Sequence, residues 1–164
     1  ITLRKINYNR IRLRSRDYML EHLTHKDKYY NRLREIVLAG VFEALPALAK
    51  FKNPNDALII KNLYEIEGLI AEHFVFDAIT NFPHPDLFEI VEKEVTNDLQ
   101  HDNYFDISSY KSYQALVQYK ILRSKELLQL TISKNDGENQ EKRANTVKYL
   151  ISKYPDKMFD GLLK

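Results

Sequence analysis

From residue 26 onward, apolar side chains recur at three- and four-residue steps, and that spacing constrains the fold more than any other feature of the chain. A stripe of this period lies along one side of an α-helix, whereas the faces of a strand alternate at every residue. Lys26–Lys52 carries Tyr29, Tyr30, Leu33, Val37, Val41, Leu45 and Leu48 in helical register. Pro46 is expected to bend or end that helix near its last turn. Asn53-Pro54-Asn55-Asp56 then reads as a turn with an N-cap. Ala57–Thr80, with Leu58, Leu63, Ile66, Ile70, Phe74 and Ile79, reads as the central helix.

Phe82-Pro83-His84-Pro85-Asp86 interrupts the pattern, and Pro85 suits the first turn of a helix over roughly Asp86–His101. Ser108 or Ser109 is placed to cap a long helix to Ser133. The polar run Ser133–Gln140, with Gly137, is a loop. A last helix covers Glu138–Lys153, and Pro155 separates it from a short amphipathic tail with Met158, Phe159, Leu162 and Leu163. Gly40 and Gly68 fall inside strong helical patterns, where close contact between helices is the expected reason for glycine. The first residues read two ways. Arg10–Arg16 alternates with period two, as a strand does, while Leu3, Ile6, Leu13 and Leu20 trace a broken helical stripe. An arm or strand to about Arg14, then a helix, is the preferred reading.

Four glycines and five prolines in 164 residues are too few turn-formers for a sandwich or barrel. At 44% apolar residues the chain can build a core, and one domain of this length buries roughly 70% of its unfolded surface. The expected fold is therefore all-α: a compact bundle of five to seven helices forming a single domain over residues 1–164, with residues 1–15 as an N-terminal arm. Cysteine is absent, which excludes disulfides, thiolate metal sites and a cysteine nucleophile. No apolar run approaches the ~20 residues needed to span a bilayer. The opening ITLRKINYNR does not read as a signal peptide, so no membrane partner is expected and a cytoplasmic setting is.

Charge is sorted along the chain. Residues 64–106 hold eleven carboxylates and one cation, Lys93, whereas residues 1–35 hold ten Lys/Arg and four Asp/Glu. A formal net charge of +2 conceals this polarity. Such fields bear on partners and association rates rather than on fold.

Several constellations carry candidate chemistry. Glu94, Asp98 and His101 share one helical face, but the single Asp-x-x-His falls short of the ligand set of a di-iron bundle, and no metal is expected. Glu65 and Glu72, seven apart, form with His73 the polar side of the central helix, and one of the two acids could be partly buried with a shifted pKa. Arg16-Asp17-Tyr18-Met19-Leu20-Glu21-His22 matches an Arg-x(4–6)-His pattern and so resembles HEPN-type ribonucleases. That resemblance implies Arg16 holding a scissile phosphate and His22 in acid–base cleavage. It covers seven residues, and HEPN domains carry the motif late in their bundle rather than near the start. Arg10, Arg12, Arg14 and Arg16, with Tyr8 and Tyr18 nearby, form a candidate phosphate-contacting stretch. No glycine-rich phosphate loop and no Gly-x-Ser-x-Gly elbow occurs.

These features favour a non-enzymatic protein-interaction or inhibitor domain, of the immunity type, that needs no cofactor. Its partner is a basic protein, or a second copy of the chain, engaged through Glu65, Glu72, Glu89, Glu92, Glu94, Asp98 and Asp102. An RNA-binding or RNA-cleaving domain using Arg16 and His22 is the alternative, and a structural subunit of a larger assembly the third reading. The interaction reading requires these carboxylates to gather on one outer face without compensating cations.

Overall fold

The computed structural model describes residues 26–67, 72–100, 105–134 and 137–163. Among them are eight α-helices, three single-turn 3-10 segments and no strand. The helices are α1 (Lys26–Leu38), α2 (Leu45–Ala49), α3 (Asp56–Glu67), α4 (Glu72–Asn81), α5 (Phe88–Gln100), α6 (Ile107–Leu116), α7 (Leu122–Ser133) and α8 (Glu138–Lys153). The proposed arm over residues 1–15 lies outside the described residues, with Arg10, Arg12, Arg14, Arg16 and His22.

The described residues are all-helical, as their periodicity requires, but three of the expected long helices are each two shorter ones. The first divides at Gly40, whose φ of +84° is left-handed. The Gly40 N–H donates to the Val37 carbonyl (2.9 Å) and the Val41 N–H to that of Ile36 (3.1 Å). This pairing is a Schellman C-cap, and glycine suits it because a Cβ is disfavoured in that conformation. A Cβ on Gly40 would have nothing within 4 Å, so close helix contact is not the reason for this glycine. Pro46 consequently lies in the first turn of α2, where its missing N–H leaves no bond unmade.

The expected central helix is α3 followed by α4. The rings of Tyr64 and Phe76 lie 6.4 Å apart. A continuous helix would separate residues twelve apart by about 18 Å along its axis, so the two segments pack side by side. Asp106, rather than Ser108 or Ser109, caps α6: its Oδ1 accepts from the N–H groups of Ser108 (2.9 Å) and Ser109 (3.0 Å). The run expected to reach Ser133 stops at Leu116 and restarts at Leu122. The bend buries Val117 and lets the Tyr119 hydroxyl donate to the His84 carbonyl at 3.0 Å.

One cluster of buried apolar residues runs from Leu33 to Leu162. Helix α4 sits at its centre, packed against α2, α3 and α6, with Val75, Phe76, Ala78 and Ile79 fully buried. Helix α6 bridges α4 to α5 and α8, and α7 lies between α5 and α8. No helix among the described residues is long and apolar enough to cross a membrane.

Candidate functional site

The carboxylates of the acidic segment divide into an inner set and an outer set. Asp98 heads the inner one. It is buried on α5 against side chains of α6 and α8, and Arg143 of α8 holds it with two donors. Arg143 Nε donates to Oδ2 at 2.6 Å and Nη2 to Oδ1 at 2.9 Å. The hydroxyls of Ser109 and Tyr113 add donors, each at 3.1 Å. The Arg143 guanidinium also faces the Phe105 ring, 5.9 Å from its centre. A buried carboxylate is tolerated only with such pairing and hydrogen bonding. Burial, with the Asp98 charge beside it, drives the Tyr113 phenol well above its ordinary range.

Glu72 and Glu94 complete the inner set at the junction of α3, α4, α5 and α6. Glu72 is buried on the first turn of α4, where the charge of Glu94 acts on it. The Tyr64 hydroxyl donates to Glu94 Oε2 at 3.3 Å. Burial first, then the charges of Glu94 and Asp106, push the Glu72 carboxyl up to about 7. Glu94 is raised as well, mainly by burial, with the Tyr64 bond opposing. Tyr64 itself is raised to about 12 by burial and then by Glu94. Glu72 and Asp98 are thus removed from any partner surface, and Glu94 is half-buried. The expectation that Glu65 and Glu72 share one helical face fails because they stand on different helices.

The outer set is larger, and part of it is paired with cations. Glu92 is bound by Arg123 Nε at 2.6 Å, and Arg123 also holds Glu126 at 3.1 Å. Asp77 is paired with Lys111. Glu65 is exposed on α3, while the side chains of Asp86 and Glu89 are 77% and 85% exposed. Lys61 reaches Glu89 at 3.9 Å and joins the α3 surface to the start of α5. Asp102 and His101 lie outside the described residues.

Beside these carboxylates α3 presents two large apolar groups to solvent, Leu58 (64% exposed) and Ile66 (77%). With Asn62 and Glu65 they stand at relative positions 0, 4, 7 and 8, one side of the helix. The 3-10 turn over Pro85–Leu87, which carries Asp86, packs against α3, so Asp86, Glu89 and Lys61 border the stripe. Leu58 and Ile66 belong to the apolar pattern that marks this helix in the sequence, but periodicity identifies a stripe without saying which side of it is covered.

A depression of about 300 Å³ opens between α5 and α7 over Leu99, Leu127 and Leu130. Its rim cations are engaged: Arg123 by two carboxylates, Lys134 by the Leu99 carbonyl. Among the described residues no group of three or more His, Asp or Glu side chains is placed to hold a metal ion. No family model, curated protein or solved structure matches the chain.

Proposed function

We propose that the chain is a helical protein-interaction domain. It receives a basic partner bearing apolar side chains on the outer face of α3. The exposure of Leu58 and Ile66 on one side of that helix, with Glu65 between them, is the observation that carries this reading. Isolated exposed leucines are ordinary, but paired apolar anchors within a charged rim have the composition of a recognition surface. Asp86 and Glu89 supply the acidic rim, with Lys61 and Lys93 interspersed. The reading narrows the acidic surface expected from sequence to Glu65, Asp86 and Glu89. Steering by so few carboxylates is correspondingly modest, and the apolar contacts provide most of the affinity.

The test is affinity capture at ~50 mM salt, with partners identified by mass spectrometry, using the native chain and Leu58→Asp/Ile66→Asp. A basic protein retained by the native chain, lost from the variant and shed as salt rises supports the proposal. Equal retention by both proteins removes the α3 face from consideration. Capture of RNA in place of protein redirects attention to the basic N-terminal segment.

A further inference from the structure

Helix α8 presents an exposed side opposite in charge to the α3 face. Asn145, Lys148, Tyr149, Ser152 and Lys153 are all exposed and stand at relative positions 0, 3, 4, 7 and 8, one side of the helix. Ala144, Val147, Leu150 and Ile151 are buried in the core behind them. Tyr149 is 53% exposed, and Lys153 Nζ lies 5.9 Å from the centre of its ring and 5.4 Å from that of Tyr154. The Tyr154 hydroxyl accepts from Gln114 Nε2 of α6 at 3.1 Å, which fastens this end of α8 to its neighbour. No carboxylate occurs over residues 142–155, nor over residues 107–125, which include all of α6. Asp156, the first acid beyond α8, is taken by Lys120 at 3.6 Å, and Glu141, one turn before Asn145, marks where the acid-free side begins.

We propose that the basic partner of the α3 face is a second copy of this chain, which presents the Lys148–Lys153 side of α8. This assignment rests on the α3 reading above and names its partner. The two sides match in charge and in relief. At four-residue steps α3 runs large, small, large, with Leu58, Asn62 and Ile66, whereas α8 centres its bulk, with Asn145, Tyr149 and Lys153. Each stripe covers about 12 Å of helix axis. Tyr149 set against Asn62 enters the gap between Leu58 and Ile66, as the ridges of one helix fill the grooves of another. Lys148 and Lys153 then face Glu65, Asp86 and Glu89. Both sides are open to solvent in the single chain, so the contact forms between copies. It is heterologous: each pair keeps one free α3 face and one free α8 face, and association continues into a ring or a filament.

Sedimentation velocity of the full chain, from about 10 µM to about 500 µM and at ~50 mM and ~500 mM salt, tests it. The proteins are the native chain, Leu58→Asp/Ile66→Asp and Tyr149→Asp/Lys153→Glu, each checked by circular dichroism for an intact fold. The native chain should gain mass with concentration and lose that gain at high salt, while each variant alone stays single. Mixing the two variants should restore association but stop it at twice the single-chain mass, because one keeps only its α8 face and the other only its α3 face. A native chain that stays single throughout overturns the inference. Variants that stay single when mixed overturn it too, as does an α8 variant that associates like the native chain. Should the native chain stay single while affinity capture still returns a basic protein lost from the α3 variant, the α3 reading stands and the second copy alone is excluded.

Discussion

Replacing Arg143 with Met leaves the Asp98 carboxylate inside the protein without its bidentate partner, retaining only the Ser109 and Tyr113 hydroxyls. Both ionic groups are buried, Arg143 at 0% and Asp98 at 5% exposure. The relevant comparison is therefore with broken interior ion pairs, which cost about 3–5 kcal/mol, and not with surface pairs, whose median is ~0–1 kcal/mol. Asp98→Ala should lose a similar amount, because a guanidinium then remains beside an aromatic face. For a domain of this size each kcal/mol moves Tm by roughly 2–4 °C, so either variant should melt about 6–20 °C lower. The double variant Asp98→Ala/Arg143→Met leaves no charge stranded. What it retains is the loss of an acceptor for two hydroxyls, about 1–3 kcal/mol, and the added cavity of the alanine. It should be no less stable than the weaker of the single variants. Urea unfolding followed by circular dichroism measures all four proteins. Single variants within ~1 kcal/mol of the native chain, or a double variant as unstable as the two losses added together, would refute the reasoning.

Other outcomes follow from the same contacts. Tyr113→Phe removes one donor to Asp98 without disturbing the Arg143 pair, and should cost about 1–3 kcal/mol in urea unfolding. Gly40→Ala forces a Cβ into the left-handed region at φ +84° and should cost about 1–2 kcal/mol. The open space around that position means strain alone is responsible, and a neutral result would show that the C-cap can rearrange. Asp56 is fully buried; it accepts from the Tyr30 hydroxyl at 2.8 Å, and its Oδ2 has no hydrogen-bond partner. Burial raises its pKa, so its contribution to stability declines as pH rises through the folded value. Asp56→Asn should therefore match or exceed native stability at neutral pH by up to about 1 kcal/mol, and a loss above ~2 kcal/mol would contradict that sign.

Helical architecture was legible because helix period survives even where helix ends do not. The last helix was read with the boundaries it has, since Gly137 and Pro155 stand at either side of an uninterrupted stripe. Breaks without Gly or Pro were harder. Nothing local in Val117–Ile121 signals an interruption; burial of Val117 and the tertiary bond from Tyr119 to His84 decide it. Gly40 was a correct landmark with the wrong explanation, because sequence locates a glycine but does not supply its φ. The site was legible in part. That one of Glu65 and Glu72 could be buried with a shifted pKa was readable, but Glu94, whose charge acts on it, lies on another helix. Arg143 did leave a signal: it stands four and seven residues before Val147 and Leu150, on the stripe that α8 buries. An arginine there requires a buried anion, and Asp98 supplies it.

The division of carboxylates between an inner set and an outer set that includes those beside Leu58 and Ile66 has one direct measurement. Amide shift mapping with a synthetic amphipathic helix of leucine and lysine, at ~50 mM and then ~500 mM salt, reports where a basic apolar ligand settles. Perturbations gathered on Leu58, Asn62, Glu65, Ile66, Asp86 and Glu89, fading as salt rises, are the predicted result. Perturbations that spread over every carboxylate of residues 64–106, or that collect between α5 and α7 instead, would contradict it.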